Sequence, residues 1–330
     1  MRLNPAICSR WPTGESAHRT RRSTRISTID VQLPPVPLFR HHVEAIALKA
    51  VVGLLRPLPV DAASWVMGKL WRHVLPLGRR NRRTLCNLEH VLPELSAEER
   101  SKIAAGVREN LGRVFIEAFR LPEFSLDSSR FDLSGASLLA DIARGNGNAV
   151  IASLHMGNWE ACSGAAMQLG LKPAGVYRQL SNPIVEAGLA EARRSFYPMG
   201  LFCKRPNSDI ARKVLSLVKA GGTLAILGDL RDEDGIELLF LGAPSWATTF
   251  PALVARITGA PLVAARLVRT GGVRFRAEAE VIAVPRTDDR RADIEEATRS
   301  LSQVFERWVR EMPEQWLWTH KKWGRTEDAD

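Results

Sequence analysis

From residue 149 onward, short apolar runs alternate with stretches of helical period. Residues 149–154 are almost wholly apolar, the pattern of a strand buried on both faces. Gly157 breaks the run, and Asn158, a good N-cap residue, opens a helix expected over 159–169. There follow a strand at 174–178, helices at 183–196 and 209–219, and an apolar strand at 223–229. A helix at 250–258, strands at 261–268 and 274–284, and a long helix at 292–311 complete the series. Strands alternating with helices predict an α/β fold: a central, largely parallel or mixed sheet flanked by helices. The last of those strands is the one whose polar and apolar residues partly alternate.

The N-terminal third reads differently. Residues 39–75 are helical and apolar on a broad face (Val43, Ile46, Ala47, Ala50, Val51, Leu54), interrupted by Pro57 and Pro59, then resumed with Trp65, Val66, Leu70 and Trp71. Arg40, Lys49, Arg56, Lys69, Arg72, Arg79 and Arg80 flank the two pieces. A segment too short to span, with tryptophan and arginine at its borders, fits an interfacial membrane helix, and its periodicity equally fits a helical hairpin packed on a core. Ser96 with Glu99 three residues on is a capping box, and the helix it starts carries Ile103, Val107, Leu111, Val114 and Phe115 at core spacing. The division expected is a basic, disordered tail at 1–37, a membrane-associated helical segment at 38–85 and an α/β domain at 86–330.

Composition adds a partner class. The chain has 330 residues and a formal net charge of +10, which calls for an anionic partner: nucleic acid, an acidic protein or an anionic lipid face. Lys321, Lys322 and Arg325 place further positive charge near the last residues, either as part of an anion-binding surface or as a solvated end. Four cysteines without CxxC spacing (Cys8, Cys86, Cys162, Cys203) give neither a disulfide framework nor a zinc site. No metal or cofactor motif appears: the glycine pair at 145 and 147 precedes a strand instead of following one, and P-loop and nucleophile-elbow patterns are missing. A nucleic-acid-recognition motif is likewise missing.

The candidate chemistry sits at strand ends, where ligands of open α/β sheets lie. His155 follows the first apolar strand, Arg178 ends the next, and Asp229 ends the third. Glu160 is expected in the first turn of the helix after His155, where the helix dipole favours a carboxylate. Across a strand–turn–helix corner an imidazole and a carboxylate can meet as a general base and its orienting acid. Arg178 and Arg193 suit phosphate, which guanidinium binds bidentately, and Asp229 suits Arg193 or a sugar hydroxyl. Cys162 beside the corner is a weaker candidate, as a thiol nucleophile.

The corner Leu154-His155-Met156-Gly157-Asn158-Trp159-Glu160 resembles the His-x-x-x-x-(Asp/Glu) signature of glycerolipid-type acyltransferases. With residues 87–95, Asn110-Leu111-Gly112-Arg113, Tyr177-Arg178, Gly228-Asp229, 240–244 and 313–323, the chain is similar to the lipid A biosynthesis acyltransferases. That resemblance implies an enzyme at the cytoplasmic face of the inner membrane, peripheral or monotopic. It implies acyl transfer from acyl carrier protein, or acyl-CoA, to a hydroxyl of a glycolipid acceptor, with the thioester as co-substrate and no further cofactor. It maps the catalytic pair onto His155 and Glu160, and a helix arginine and strand-end acid onto Arg193 and Asp229. Anionic lipid is an implied partner and nucleic acid is not. Asp229-Leu230-Arg231 departs from that family's usual Asp-Gln and is closer to the loop of mycobacterial phosphatidylinositol mannoside acyltransferases. A phosphatidylinositol mannoside or lysophospholipid acceptor is therefore the alternative, and a basic, non-catalytic membrane- or nucleic-acid-binding protein the reading outside enzymes.

Overall fold

The computed structural model describes residues 38–74, 78–204 and 209–323. The basic tail expected at 1–37 and Arg325 lie outside them. Among the described residues, seven strands form one sheet in the order β1 (Phe131–Asp132), β9 (Arg274–Ile282), β8 (Leu262–Gly271), β2 (Ala149–Ser153), β5 (Thr223–Leu227), β3 (Pro173–Tyr177), β4 (Leu201–Cys203). Every pairing is parallel except β8 with β9. The fold is therefore the expected α/β class, with a mostly parallel sheet between helices.

Helices cover both sheet faces because the strands are apolar on both. Side chains of alternate residues point to opposite faces. On one face, Val150, Ala152, Leu224, Leu262 and Ala264 pack under α8 (Ile210–Lys219), α9 (Phe250–Thr258) and α10 (Arg290–Glu311). On the other, Ala149, Ile151, Val263 and Leu267 meet α5 (Leu138–Arg144), α6 (Cys162–Gln168), Phe124 and Phe196. The helix α7 (Pro183–Arg193) is capped by Asn182, whose Oδ1 accepts from the Ile184 and Val185 amides.

Four helices precede the sheet: α1 (Phe39–Leu55), α2 (Val60–Val74), α3 (Arg79–Val91) and α4 (Ala97–Ala118). Pro57 and Pro59 separate α1 from α2, as expected. The capping box of α4 is formed: Ser96 Oγ accepts from the Glu99 amide at 3.2 Å, and Glu99 Oε2 accepts from the Ser96 amide at 2.7 Å. Helix α2 lies against α4 because Gly112 leaves it room; a Cβ there would come within 2.5 Å of the Met67 carbonyl oxygen. No helix among the described residues is long and apolar enough to cross a membrane.

Helix α1 is apolar on two opposite sides. His41, Ala45 and Leu55 are buried against the body. Phe39, Val43, Ile46, Ala50 and Leu54, at spacings of four, three, four and four, form an exposed stripe on the other side, with Phe39 84% and Leu54 79% exposed. On α2, Trp65 (56%) and Leu70 (47%) are also exposed, beside Lys69, Arg72 and His73.

Some elements were not foreseen. These are α3, α5, the short β1 and β4, and a separate antiparallel hairpin of β6 (Arg231–Phe240) and β7 (Ala243–Ala247). Its two-residue turn, Leu241-Gly242, has φ of 54° and 83°. That is the left-handed backbone that short hairpins need, here with leucine where asparagine or aspartate is usual. Leu241 is buried, which offsets the strain.

Candidate active site

Strand register builds the centre of the site. Parallel β2 and β5 pair Ser153 with Leu227. Two residues further along each strand stand His155 and Asp229, side by side beyond the carboxyl edge. The His155 amide donates to Asp229 Oδ2 at 2.9 Å, and the ring Nδ1 lies 2.8 Å from Asp229 Oδ1. Burial alone would raise the Asp229 carboxyl. The adjacent His155 charge and the hydrogen bonds from His155 and Trp316 outweigh it and hold the group well below the usual carboxylate range. An ionised carboxylate only accepts, so Nδ1 carries a hydrogen, and in the neutral form of the ring the lone pair is on Nε2.

Trp316 Nε1 donates to Asp229 Oδ2 at 2.9 Å, and Lys322 Nζ donates to the Asp229 carbonyl at 2.7 Å. Lys322 is buried over the Phe240 ring, so it is part neither of an exposed basic surface nor of a solvated end, the two alternatives its position offered. Burial pushes its ammonium down to about 8, against the pull of Asp229 and Glu306. The segment carrying these residues is stitched to the catalytic corner: Leu317 N donates to His155 O, and Gly157 N to Gln315 O.

Glu160 has a different partner from the one its position suggested. Helix α6 begins at Cys162, so residues 158–161 form a turn; Asn158 Oδ1 accepts from the Glu160 and Ala161 amides at 3.0 and 3.2 Å. Glu160 thus precedes the helix instead of lying in its first turn, and makes no hydrogen bond to His155. Its carboxylate takes a bidentate pair from Arg193, Nε at 2.7 Å and Nη2 at 2.6 Å, and a bond from Trp159 Nε1 at 3.1 Å. Burial would raise Glu160; Arg193 chiefly reverses this and lowers it. The acids are therefore exchanged relative to expectation: Asp229, not Glu160, touches the histidine, and Glu160, not Asp229, holds Arg193. Arg178 follows β3, is exposed, and makes no hydrogen bond or ion pair with the other four. The Cys162 thiol is pushed up to about 12 by burial, which leaves it protonated and unsuited to attack.

A buried polar network fixes the corner from behind. Glu117, on α4, accepts both Nη atoms of Arg269 at 2.8 Å and Asn158 Nδ2 at 2.6 Å. Asn110 Nδ2 donates to the Gly157 carbonyl at 2.9 Å, and Arg269 Nε donates to Asn110 Oδ1 at 3.3 Å. Gly157 has φ 56°, and a Cβ there would lie 1.9 Å from the Leu267 carbonyl oxygen. Only glycine fits this turn.

Beside the corner opens a cleft that communicates with solvent. Its walls are mostly apolar and small, including Ile151, Ala165, Ala225, Ala265 and Leu267, with Trp159, Glu160 and Arg193 also among the lining. The lining residues come from β9, β8, β2, β5, β3 and β4, so the cleft runs across the sheet under α6.

Sequence reasoning reached His155 and Asp229 but not the groups that hold them: Glu117, Arg269, Trp316 and Lys322. The available signal was the aromatic and basic stretch at 313–323, whose role only tertiary contact reveals. A half-buried imidazole on a buried, ionised carboxylate, at the carboxyl edge of a parallel sheet beside an apolar cleft, suits proton abstraction from a hydroxyl near a fatty chain. No curated protein matches the chain. The model of one family, described as bacterial lipid A biosynthesis acyltransferase, matches residues 36–325, and the chain belongs to that family.

Proposed function

We propose that the protein moves a fatty acyl chain from a thioester on acyl carrier protein to a hydroxyl of a lipid A precursor, with His155 as general base. The single observation that carries this reading is the His155–Asp229 pair beside the apolar cleft. His155 Nε2 removes the proton from the acceptor hydroxyl, whose oxygen attacks the thioester carbonyl. The intermediate expels the thiolate, which takes the proton back from His155. Asp229 fixes the ring and stabilises it while it is charged. Glu160 keeps Arg193 extended at the cleft, where its guanidinium can meet an anionic group of donor or acceptor. The cleft takes the acyl chain.

The same reading gives the exposed α1 stripe an occupant. Phe39, Ile46, Leu54 and Trp65 enter the boundary of an anionic bilayer, with Arg40, Lys49 and Lys69 against its headgroups. A lipid acceptor requires the protein to work at such a surface, and +10 of net charge favours it. We place the protein peripherally on the inner face of the cytoplasmic membrane.

The test is mass spectrometry of acceptor lipid after incubation with acyl-carrier thioester. The parent protein adds one acyl chain. His155→Ala lowers the rate about 10²–10⁴-fold, the usual worth of a general base. A variant within about tenfold of the parent would remove His155 from this role.

A further inference from the structure

The His155 ring has two ring neighbours: Trp159, with centroids 5.3 Å apart, and His320, with centroids 5.4 Å apart. Trp159 lines the cleft. His320 has no part in the chemistry described so far, yet it is the second imidazole of the site. Its Nε2 is buried and has no hydrogen-bond partner. A buried polar atom without a partner is destabilising, so it stands out beside a reacting centre. The backbone of His320 is pinned: Asn87 Nδ2 donates to its carbonyl at 3.0 Å and to that of Trp318 at 2.7 Å, and Arg83 donates to the Thr319 carbonyl at 3.3 Å. A ring packed against His155, on a backbone fixed at these carbonyls and with an idle nitrogen, is pre-organised for something that arrives later.

We propose that His320 is a second catalytic residue, whose Nε2–H donates a hydrogen bond to the oxyanion formed when the acceptor hydroxyl attacks the thioester. The inference rests on the acyl-transfer reading above. In the attack, the new C–O bond forms as the carbonyl π pair moves onto oxygen, and the hydroxyl proton passes to His155 Nε2. Collapse of the oxyanion re-forms the carbonyl and breaks the C–S bond; the sulfur leaves with the proton from His155. His320 neither gains nor loses a proton. It must therefore be neutral throughout, and its surroundings provide for that. Burial first, then the neighbouring His155 charge, push it down to about 4, with Asp229 pulling the other way and Lys322 and Arg80 adding to the fall. A neutral imidazole can donate without becoming a competing acid, the arrangement described for the electrophilic histidine of triosephosphate isomerase.

Three substitutions test this in the full-length protein, with acyl-carrier thioester and acceptor lipid in detergent. His320→Phe keeps an aromatic ring against His155 but has no donor. It is expected to lower kcat about 10²–10³-fold, the usual worth of one oxyanion donor, with little change in KM. His320→Ala should fall at least as far. His320→Gln restores an N–H and should recover a substantial part of kcat over His320→Phe. Thermal unfolding of each variant is measured alongside, so that a loss of fold is not read as a loss of donor. If folded His320→Phe turns over within about threefold of the parent, far short of the loss expected for a missing donor, His320 is packing only and the proposal is overturned. Equal loss in His320→Phe and His320→Gln, both folded, would also overturn it. If the parent itself transfers no acyl chain while binding the acceptor, it is the acyl-transfer reading that fails, and with a different signature.

Discussion

The catalytic corner and the first two helices handle polarity in opposite ways. At the corner, buried charges are fully engaged: Asp229 by His155 and Trp316, Glu160 by Arg193 and Trp159, Glu117 by Arg269 and Asn158. On α1 and α2, large apolar side chains face outward with basic neighbours. The first region has been made rigid by satisfying what is costly to bury. The second keeps exposed what water disfavours, which is useful only against a surface that replaces the water. On the function proposed above, the corner does the chemistry and the helices bring it to its lipid.

This contrast can be broken from either side. The largest effect is expected at Asp229. Asp229→Asn leaves the geometry nearly unchanged but can offer its amide to Nδ1 and so select the wrong tautomer. We expect acyl transfer to fall by about 10²–10⁴-fold, read by steady-state kinetics. The same variant sharpens the acid side of the stability profile. Asp229 titrates below its unfolded value, so its ionised form stabilises the fold at pH above about 4, and that stability is lost as the pH falls further. Acid denaturation of Asp229→Asn, followed by circular dichroism, should therefore be less steep over that range than that of the parent.

Next in size is the support behind the corner. Glu117→Gln leaves the largely buried Arg269 guanidinium with neutral partners only, among them Asn110 Oδ1 and the Gly272 carbonyl. Removing one member of a buried pair costs roughly 3–5 kcal/mol, so chemical denaturation should show a loss of this order, and activity should decline with it. The smallest effect is expected on the helices. Phe39→Ser with Leu54→Ser removes two exposed apolar side chains. Stability should hardly change, since neither packs on the core. Partition onto anionic vesicles in a sedimentation assay should fall by about tenfold or more, because each such side chain is worth about 1.5–3 kcal/mol when fully buried in an apolar medium. Unaltered partition would mean that α1 meets something other than lipid.

Much of the fold was legible because the strands of the main sheet are buried on both faces and so read as unbroken apolar runs. Residues 149–154 and 223–229 were visible for that reason. The β6–β7 hairpin was not: its strands alternate irregularly, and Leu241 conceals the turn. Three-residue β4 is too short to have a period. At the site, the strand ends marked His155 and Asp229, but their partnership depends on β2 lying next to β5, which no local pattern states. Glu160 looked like the partner because it is near in sequence. The actual contact spans 74 positions, and register, not proximity along the chain, made it.

Trp316, His320 and Lys322 come from the segment that follows α10, and they close around the His155–Asp229 pair, which lies well before it in the sequence. During translation the parallel strands can assemble before that segment emerges, while Asp229 still lacks its indole and ammonium contacts. A chain in which that segment has not yet packed therefore holds an incomplete His155–Asp229 pair, and the site is finished only when the segment docks against the strand ends.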